Sequence, residues 1–120
     1  MVHIMIVDDN LEALRVIERG LKIAGHRTTK AASGEEALKH LQHSGKKIDL
    51  MLTDYTMPKM NGLELLKTAK GISPLLPVII MTAYSEKRMV IEAMLNSCNG
   101  FIEKPFTYEE LMTEITRIIC

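Results

Sequence analysis

Cysteine is scarce in this chain: Cys98 and Cys120 are the only two, and they stand in no metal-ligand spacing. A disulfide framework and a thiolate metal centre are therefore not expected, and two reduced thiols in a cytoplasmic setting are. Excess charge of either sign is missing too, since 15 Lys and Arg balance 15 Asp and Glu. A dedicated nucleic-acid binder normally carries a basic face, so direct nucleic-acid binding by this domain is not expected. Long apolar runs are absent. The greasiest stretch, Leu75 to Met81, is interrupted by Pro77 and falls far short of the ~20 residues that a membrane helix needs. The glycine patterns of P-loop and dinucleotide-binding proteins are also lacking. Strand-like sequence begins at Val2, so no leader peptide is expected before it.

What is present is the composition of an ordinary globular protein, 47% hydrophobic and 25% charged over 120 residues. That length buries most of its apolar surface around one core without cross-links. The expectation is a single domain over residues 1–120. No linker, repeat or low-complexity tract breaks the pattern.

Short β-branched runs alternate with longer amphipathic ones. His3 to Val7 reads as a buried central strand that ends abruptly in Asp8-Asp9. Asn10 is placed to cap a helix carrying Ala13, Leu14, Ile17 and Leu21 at helical spacing, with Gly25 to end it. His26 to Ala31 suits a more polar strand nearer an edge. Ser33 and Glu36 have capping-box spacing for a second helix. Ile48 to Thr53 reads as a third strand that delivers Asp54. A helix follows from Leu63 to about Lys70, with Gly71 as its stop. Pro77 to Met81 is a fourth strand ending at Thr82, Glu86 to about Leu95 a fourth helix, and Gly100 to Glu103 a fifth strand ending at Lys104-Pro105. Thr107 and Glu110 supply a capping box for the last helix, with Leu111, Ile115 and Ile118 as its apolar stripe. Five such βα units predict a doubly wound parallel sheet with helices on both faces.

Ligands of an open parallel sheet bind outside the carboxyl ends of its strands. This sequence places Asp8, Asp9, Asp54, Thr82 and Lys104 there. Clustered carboxylates repel one another unless a cation neutralises them, and oxygen-only ligands in an unfilled shell suit Mg²⁺. Mg²⁺ facing a carboxylate nucleophile, with an ammonium and a hydroxyl opposite, is a plan for phosphoryl transfer onto Asp54. Each residue alone has a duller reading: an Asp-Asp pair is usually a solvated loop start, Asp54 a strand end, Lys104 a surface lysine. Their joint placement at strand ends is harder to attribute to chance.

In the segments Ile6 to Asn10, Asp54 to Gly62, Met81 to Tyr84 and Gly100 to Phe106, the chain resembles the receiver domain of bacterial two-component response regulators. The likeness runs through the whole sequence. It implies a flavodoxin-like fold with strand order 2-1-3-4-5. It also implies that Asp54 accepts a phosphoryl group from a histidine kinase or phosphotransfer protein, and that the domain is a signalling switch rather than an enzyme, promoting its own phosphorylation and dephosphorylation. By the same resemblance Asp8, Asp9, Asp54 and the backbone carbonyl of Thr56 hold Mg²⁺, while Thr82 and Lys104 contact the phosphoryl group. Thr82 and Phe101 form the switch pair, and Thr56 and Tyr84 tune the lifetime of the phosphorylated state. Lys104-Pro105 matches a peptide that is usually cis. The surface made of the fourth helix, the fifth strand and the last helix is where partners dock or a homodimer forms. Segments such as Met81 to Tyr84 resemble receivers attached to transcription activators.

The chain departs from the family pattern at Ser97 and Cys98, where Gly-Ala is common, and at Phe101, which lacks the hydroxyl of the commoner Tyr. Two other classes remain as competitors. A phosphatase of the haloacid dehalogenase type also uses an aspartyl nucleophile with Mg²⁺, but its acids sit in a DxD pattern and not adjacent as Asp8 and Asp9 are. A phosphorylation-independent adaptor would not need the intact acid site. Among the nine methionines, Met5, Met51 and Met81 read as core fillers, whereas Met57 and Met60 flank Pro58 where a kinase could reach them. His40 and His43 read as a solvated helix end.

Overall fold

The computed structural model describes residues 2–43, 47–83, 88, 91, 92, 95 and 98–119. The chain alternates β1 (His3–Val7), α1 (Leu11–Ile23), β2 (Arg27–Ala31), α2 (Gly34–His43), β3 (Leu50–Asp54), α3 (Gly62–Ile72), β4 (Val78–Ala83), β5 (Gly100–Lys104) and α4 (Tyr108–Ile119). The helix expected from Glu86 to Leu95 falls mostly outside the described residues; Arg88, Ile91, Glu92 and Leu95 are described and helical.

The strands form one five-stranded sheet in the order β2-β1-β3-β4-β5, all pairs parallel. This is the flavodoxin-like doubly wound fold. β1 is buried at every position, because alternate side chains enter two separate cores. Met5 and Val7 pack with Ala37, Leu65, Leu66 and Ala69 of α2 and α3. Ile4 and Ile6 pack with Leu14, Ile17 and Leu21 of α1 and with Leu111 and Ile115 of α4. Helices therefore cover both faces. Each fully buried Leu, Ile or Met side chain contributes about 1.5–3 kcal/mol. β2 lies at the edge and shows it: Arg27 and Lys30 are exposed, and Thr28 and Thr29 half-buried.

Local signals explain most element ends. Asn10 Oδ1 accepts from the backbone of Glu12 at 3.0 Å and of Ala13 at 3.1 Å, capping α1. Gly25, at φ 92°, ends that helix in the left-handed region. Thr107 and Glu110 close their capping box on both sides, at 2.8 and 3.0 Å. Ser33 and Glu36 close only half of theirs. Glu36 N donates to Ser33 Oγ at 3.1 Å, but the Glu36 carboxylate accepts from Ala32 N instead of the cap residue's own amide.

Gly71 does not stop α3. The helix continues to Ile72, and Ser73 N closes it on the carbonyl of Ala69 at 2.7 Å. Gly71 sits in ordinary helical backbone, and the break comes at Pro74, which has no amide hydrogen to donate. Met57 is buried at 7% exposure within the α2–α3 core, so its apolar side chain serves packing and is not presented to a partner. Met60 is half-buried. Met5, Met51 and Met81 are fully buried core residues, as expected.

Candidate functional site

β1 pairs with β2 on one side and β3 on the other, so strand order reverses between β1 and β3 and leaves a crevice at their carboxyl ends. The chain delivers its acids there. Asp8 follows β1, fixed by its own backbone bond to Ala31 O at 3.1 Å and by a bond from Asn10 N to its Oδ1 at 2.9 Å. Asp9 is the next residue and is exposed. Asp54 closes β3. One oxygen from each of Asp8, Asp9 and Asp54 lies within 4.8 Å of the others.

Lys104, at the end of β5, reaches across β4 into this cluster. Its Nζ lies 3.2 Å from Asp8 Oδ2 and 3.2 Å from Asp54 Oδ1. Burial works against its charge, but Asp54 and then Asp8 outweigh that and hold its pKa above the ordinary lysine value. Burial also pushes the Asp54 carboxyl above its usual range. The negative charge of Asp8 adds to this, Lys104 opposes it, and Asp9 adds a little more. Among the described residues one ammonium, paired with Asp8 and Asp54, thus stands against a trio of carboxylates, which leaves this cluster net negative.

Thr82 is buried near the end of β4, one residue beyond Met81, the register partner of Asp54. Phe101 lies on β5 opposite Ile80 and is 43% exposed. Thr56 stands exposed in the loop after β3. That loop turns sharply at Lys59, whose φ of 70° places it in the left-handed region, with Met60 N donating to Pro58 O at 2.7 Å. Its Met60 side chain then rests on Gly34, where a Cβ would come within 2.6 Å of the sulfur. A groove of about 600 Å³ runs from Asp9 between the start of α2 and this loop, with Lys39, Lys59 and Met60 among its lining. Tyr84 lies outside the described residues. The Lys104-Pro105 peptide is cis, as the resemblance implies.

Three local features were not anticipated from sequence. Asn61 and Glu64 make a complete capping box at the start of α3, with bonds of 3.0 and 2.9 Å; the Asn-x-x-Glu spacing was visible and is a known signal. Asn10, beyond capping α1, orients Asp8 through its backbone, which no side-chain pattern reveals. At the departure from the family pattern, Cys98 turns its thiol onto Gly100 O at 2.8 Å, and burial pushes that thiol above its ordinary pKa.

A five-stranded parallel sheet with an acid trio at the switch point and a lysine from the last strand defines the receiver class of signalling domain. Residues 4–116 match the response regulator receiver domain family, and the chain belongs to it. It is 40% identical to the DNA-binding transcriptional regulator NtrC of Klebsiella pneumoniae over 95% of this chain and 24% of that protein. It is 32% identical to the transcriptional regulatory protein ZraR of Klebsiella oxytoca over 98% of this chain and 26% of that one. The chain therefore spans about a quarter of the length of these curated relatives. Among solved structures, a response regulator receiver domain protein from Clostridium thermocellum superposes with a TM-score of 0.94 at 31% identity, covering 99% of this chain and 94% of that one. The chemotaxis protein CheY4 of Vibrio cholerae gives 0.91 at 26% identity, covering 99% of each.

Membership makes the chain a receiver domain of bacterial two-component response regulators, a family whose signalling depends on phosphorylation, whose members bind Mg²⁺ in an acidic pocket and which interact with histidine kinases or phosphotransfer proteins. Among the described residues, no helix is long and apolar enough to cross a membrane.

Proposed function

We propose that this domain, spanning residues 1–120, is a phosphorylation-activated switch in which Asp54 is the phosphoacceptor. The observation that carries the reading is the convergence of Asp8, Asp9 and Asp54 within 4.8 Å, with Lys104 at 3.2 Å from two of them. Oxygen-only donors with net negative charge fit a hard divalent ion, and Mg²⁺ in particular, which binds through few protein ligands and keeps room for water and phosphoryl oxygens. Asp8, Asp9, Asp54 and the backbone carbonyl of Thr56 are the groups assigned to hold it. When bound, the ion neutralises charge on the transferring phosphoryl oxygens.

The residues of the chain do the rest. Asp54 attacks phosphorus through one carboxylate oxygen, the bond from phosphorus to the donor imidazole nitrogen breaks, and the electron pair leaves with the histidine. Lys104, already held beside Asp54, supplies a fixed positive charge to the phosphoryl group, stabilisation that is strongest in a partly desolvated site. Thr82 donates its hydroxyl to the phosphorylated Asp54, and its shift lets Phe101 move from its half-exposed position inward. Thr56 and Tyr84 tune how fast water later hydrolyses the acyl phosphate. Tyr84, being bulky, slows that step. The domain promotes its own phosphorylation and hydrolysis but turns over no separate substrate.

The output is a change in contacts made by the region from Glu86 to Leu95, β5 and α4, toward a partner or a second copy. Ile91, Leu95, Phe101 and Tyr108 are large apolar side chains exposed in that region. Similarity to DNA-binding transcriptional regulators favours a cytoplasmic setting and an output in transcription, exerted through other parts of a longer protein and not by nucleic-acid contacts of this domain. Incubation with acetyl phosphate and Mg²⁺ tests the reading. It expects up to one phosphoryl group per chain, abolished by EDTA and by Asp54→Asn. Continuous release of phosphate from simple phosphomonoesters, or labelling that survives Asp54→Asn, would refute it.

A further inference from the structure

The peptide that joins Asp54 to Tyr55 is bonded at both its amide and its carbonyl by groups with no part in the chemistry, and the carbonyl of Tyr55 that follows it is bonded as well. Tyr55 N donates to Met81 O of the neighbouring strand at 2.9 Å. Thr53, completely buried, donates its Oγ1 hydrogen to the Asp54 carbonyl oxygen at 3.0 Å. Gly62, the first residue of α3, donates its N–H to Tyr55 O at 2.7 Å. A Cβ on Gly62 would stand 2.6 Å from the Asp54 carbonyl oxygen and 2.9 Å from Tyr55 Cα. The obstruction is backbone, so no rotamer change relieves it.

Neither side can yield easily. α3 is pinned by the Asn61–Glu64 capping box and by the buried Leu63, Leu65, Leu66 and Ala69. β3 is locked between β1 and β4. Any side chain at position 62 must therefore displace the Asp54–Tyr55 peptide, and the Asp54 carboxylate with it. Gly34 offers an internal contrast. Its Cβ would also approach an atom to 2.6 Å, but that atom is the sulfur of Met60, the far end of a flexible side chain.

We infer that Gly62 and Thr53 are positioning residues that clamp the Asp54–Tyr55 peptide as a rigid mount for the Asp54 carboxylate. The inference rests on the reading of Asp54 as phosphoacceptor. It goes beyond that reading by assigning the aim of the nucleophile to one missing Cβ and one hydroxyl. In-line attack is sensitive to placement, and a shift of about 1 Å can cost about 100-fold in rate.

The experiment compares wild-type chain, Gly62→Ala, Thr53→Val and Gly34→Ala. It measures the initial rate of labelling by acetyl phosphate at saturating Mg²⁺, the Mg²⁺ dissociation constant, and amide hydrogen exchange at Tyr55. Gly62→Ala should label at least about 10-fold more slowly, bind Mg²⁺ more weakly and exchange faster at Tyr55. Thr53→Val should label about 2- to 10-fold more slowly, the effect of one lost hydrogen bond, again with faster exchange at Tyr55. Gly34→Ala should stay within about twofold of wild type in all three, since Met60 can move aside. Wild-type labelling by both Gly62→Ala and Thr53→Val would overturn the inference, as would equal slowing by Gly34→Ala. Should Gly62→Ala fail to fold, Thr53→Val decides, and an unchanged rate together with unchanged exchange overturns it. A wild-type chain that resists labelling would refute the functional reading instead, while exchange at Tyr55 in the variants still judges the mount.

Discussion

Lys104→Met removes an ammonium that bridges Asp8 and Asp54, and the geometry of that bridge sets the size of the effect. The Lys104 Nζ sits 3.2 Å from each carboxylate; the Asp8 side chain is 1% exposed, that of Asp54 13%, and that of Lys104 34%. Stripping the partner from a buried carboxylate costs about 3–5 kcal/mol. Lys104 is about a third exposed, so water already screens part of the attraction, and the bond from Asn10 N to Asp8 Oδ1 survives the change. Those two effects bring the expected loss down to about 2 kcal/mol. For a domain of this size that lowers Tm by about 6–10 °C in the absence of divalent ions. Methionine keeps most of the apolar stem, so lost packing adds little. Mg²⁺ should then restore most of the loss, because the variant site is more negative and binds the ion more tightly. Ligand at a hundredfold excess over Kd stabilises by about 2.7 kcal/mol. Thermal melts of both proteins, with MgCl₂ and with NaCl at matched ionic strength, make the comparison. A variant that melts at or above wild type without Mg²⁺ would show that the bridge does not hold the acids. Equal Mg²⁺ stabilisation of the two proteins would show that Lys104 and the ion do not share the same charges.

Asp9, exposed and outside the Lys104 bridge, should behave oppositely: Asp9→Asn relieves repulsion and raises stability without Mg²⁺ by no more than about 1 kcal/mol, while weakening Mg²⁺ binding in calorimetric titration. A lower Tm for this variant would contradict the charge picture. The Asp54 carboxyl is held above its usual range by burial and by Asp8, so its stabilising contribution is whole when protonated and is lost as pH rises through its folded-state pKa. Asp54→Asn, which cannot ionise, should therefore gain in Tm over wild type as pH rises above the ordinary aspartate pKa of about 4 without divalent ions; an advantage that shrinks with rising pH would reverse the sign. Gly71 lies in ordinary helical backbone, and a Cβ there would meet nothing within 4 Å, so Gly71→Ala should stabilise by about 0.5–1 kcal/mol, read by urea denaturation, with labelling by acetyl phosphate unchanged.

The alternation of apolar runs and their acidic or basic ends made β1, β3 and β5 legible, together with the residues each presents at its carboxyl end. Buried strands and the helix stripes of α1 and α4 follow from periodicity that any reader can count. Gly71 misled because glycine near a helix end is a stop signal only when the chain needs a left-handed residue there, and here Pro74 does the stopping. Met57 misled because residues flanking an acceptor loop look exposed in one dimension, yet this loop folds back over the α2–α3 core. The clamp on the Asp54–Tyr55 peptide was out of reach for a different reason. It depends on how closely the backbones of β3, β4 and α3 approach and on the buried Thr53 hydroxyl meeting the Asp54 carbonyl, and sequence pattern carries no information about approaches of that kind. The Lys104 bridge to two acids joins residues 96 positions apart; the types of residue announced an acid site, but only tertiary structure places one nitrogen midway between Asp8 and Asp54.

A phosphoryl group carried by the carboxylate at position 54 is an acyl phosphate and can be trapped chemically. Borohydride reduces an acyl phosphate to the alcohol, so treatment of the acetyl-phosphate-labelled chain followed by peptide mass spectrometry identifies the modified residue directly. Homoserine in place of aspartate at position 54, formed only when Mg²⁺ is supplied, is the expected result. Homoserine at Asp8 or Asp9, or a labelled chain whose phosphate survives borohydride on another residue type, would contradict the account.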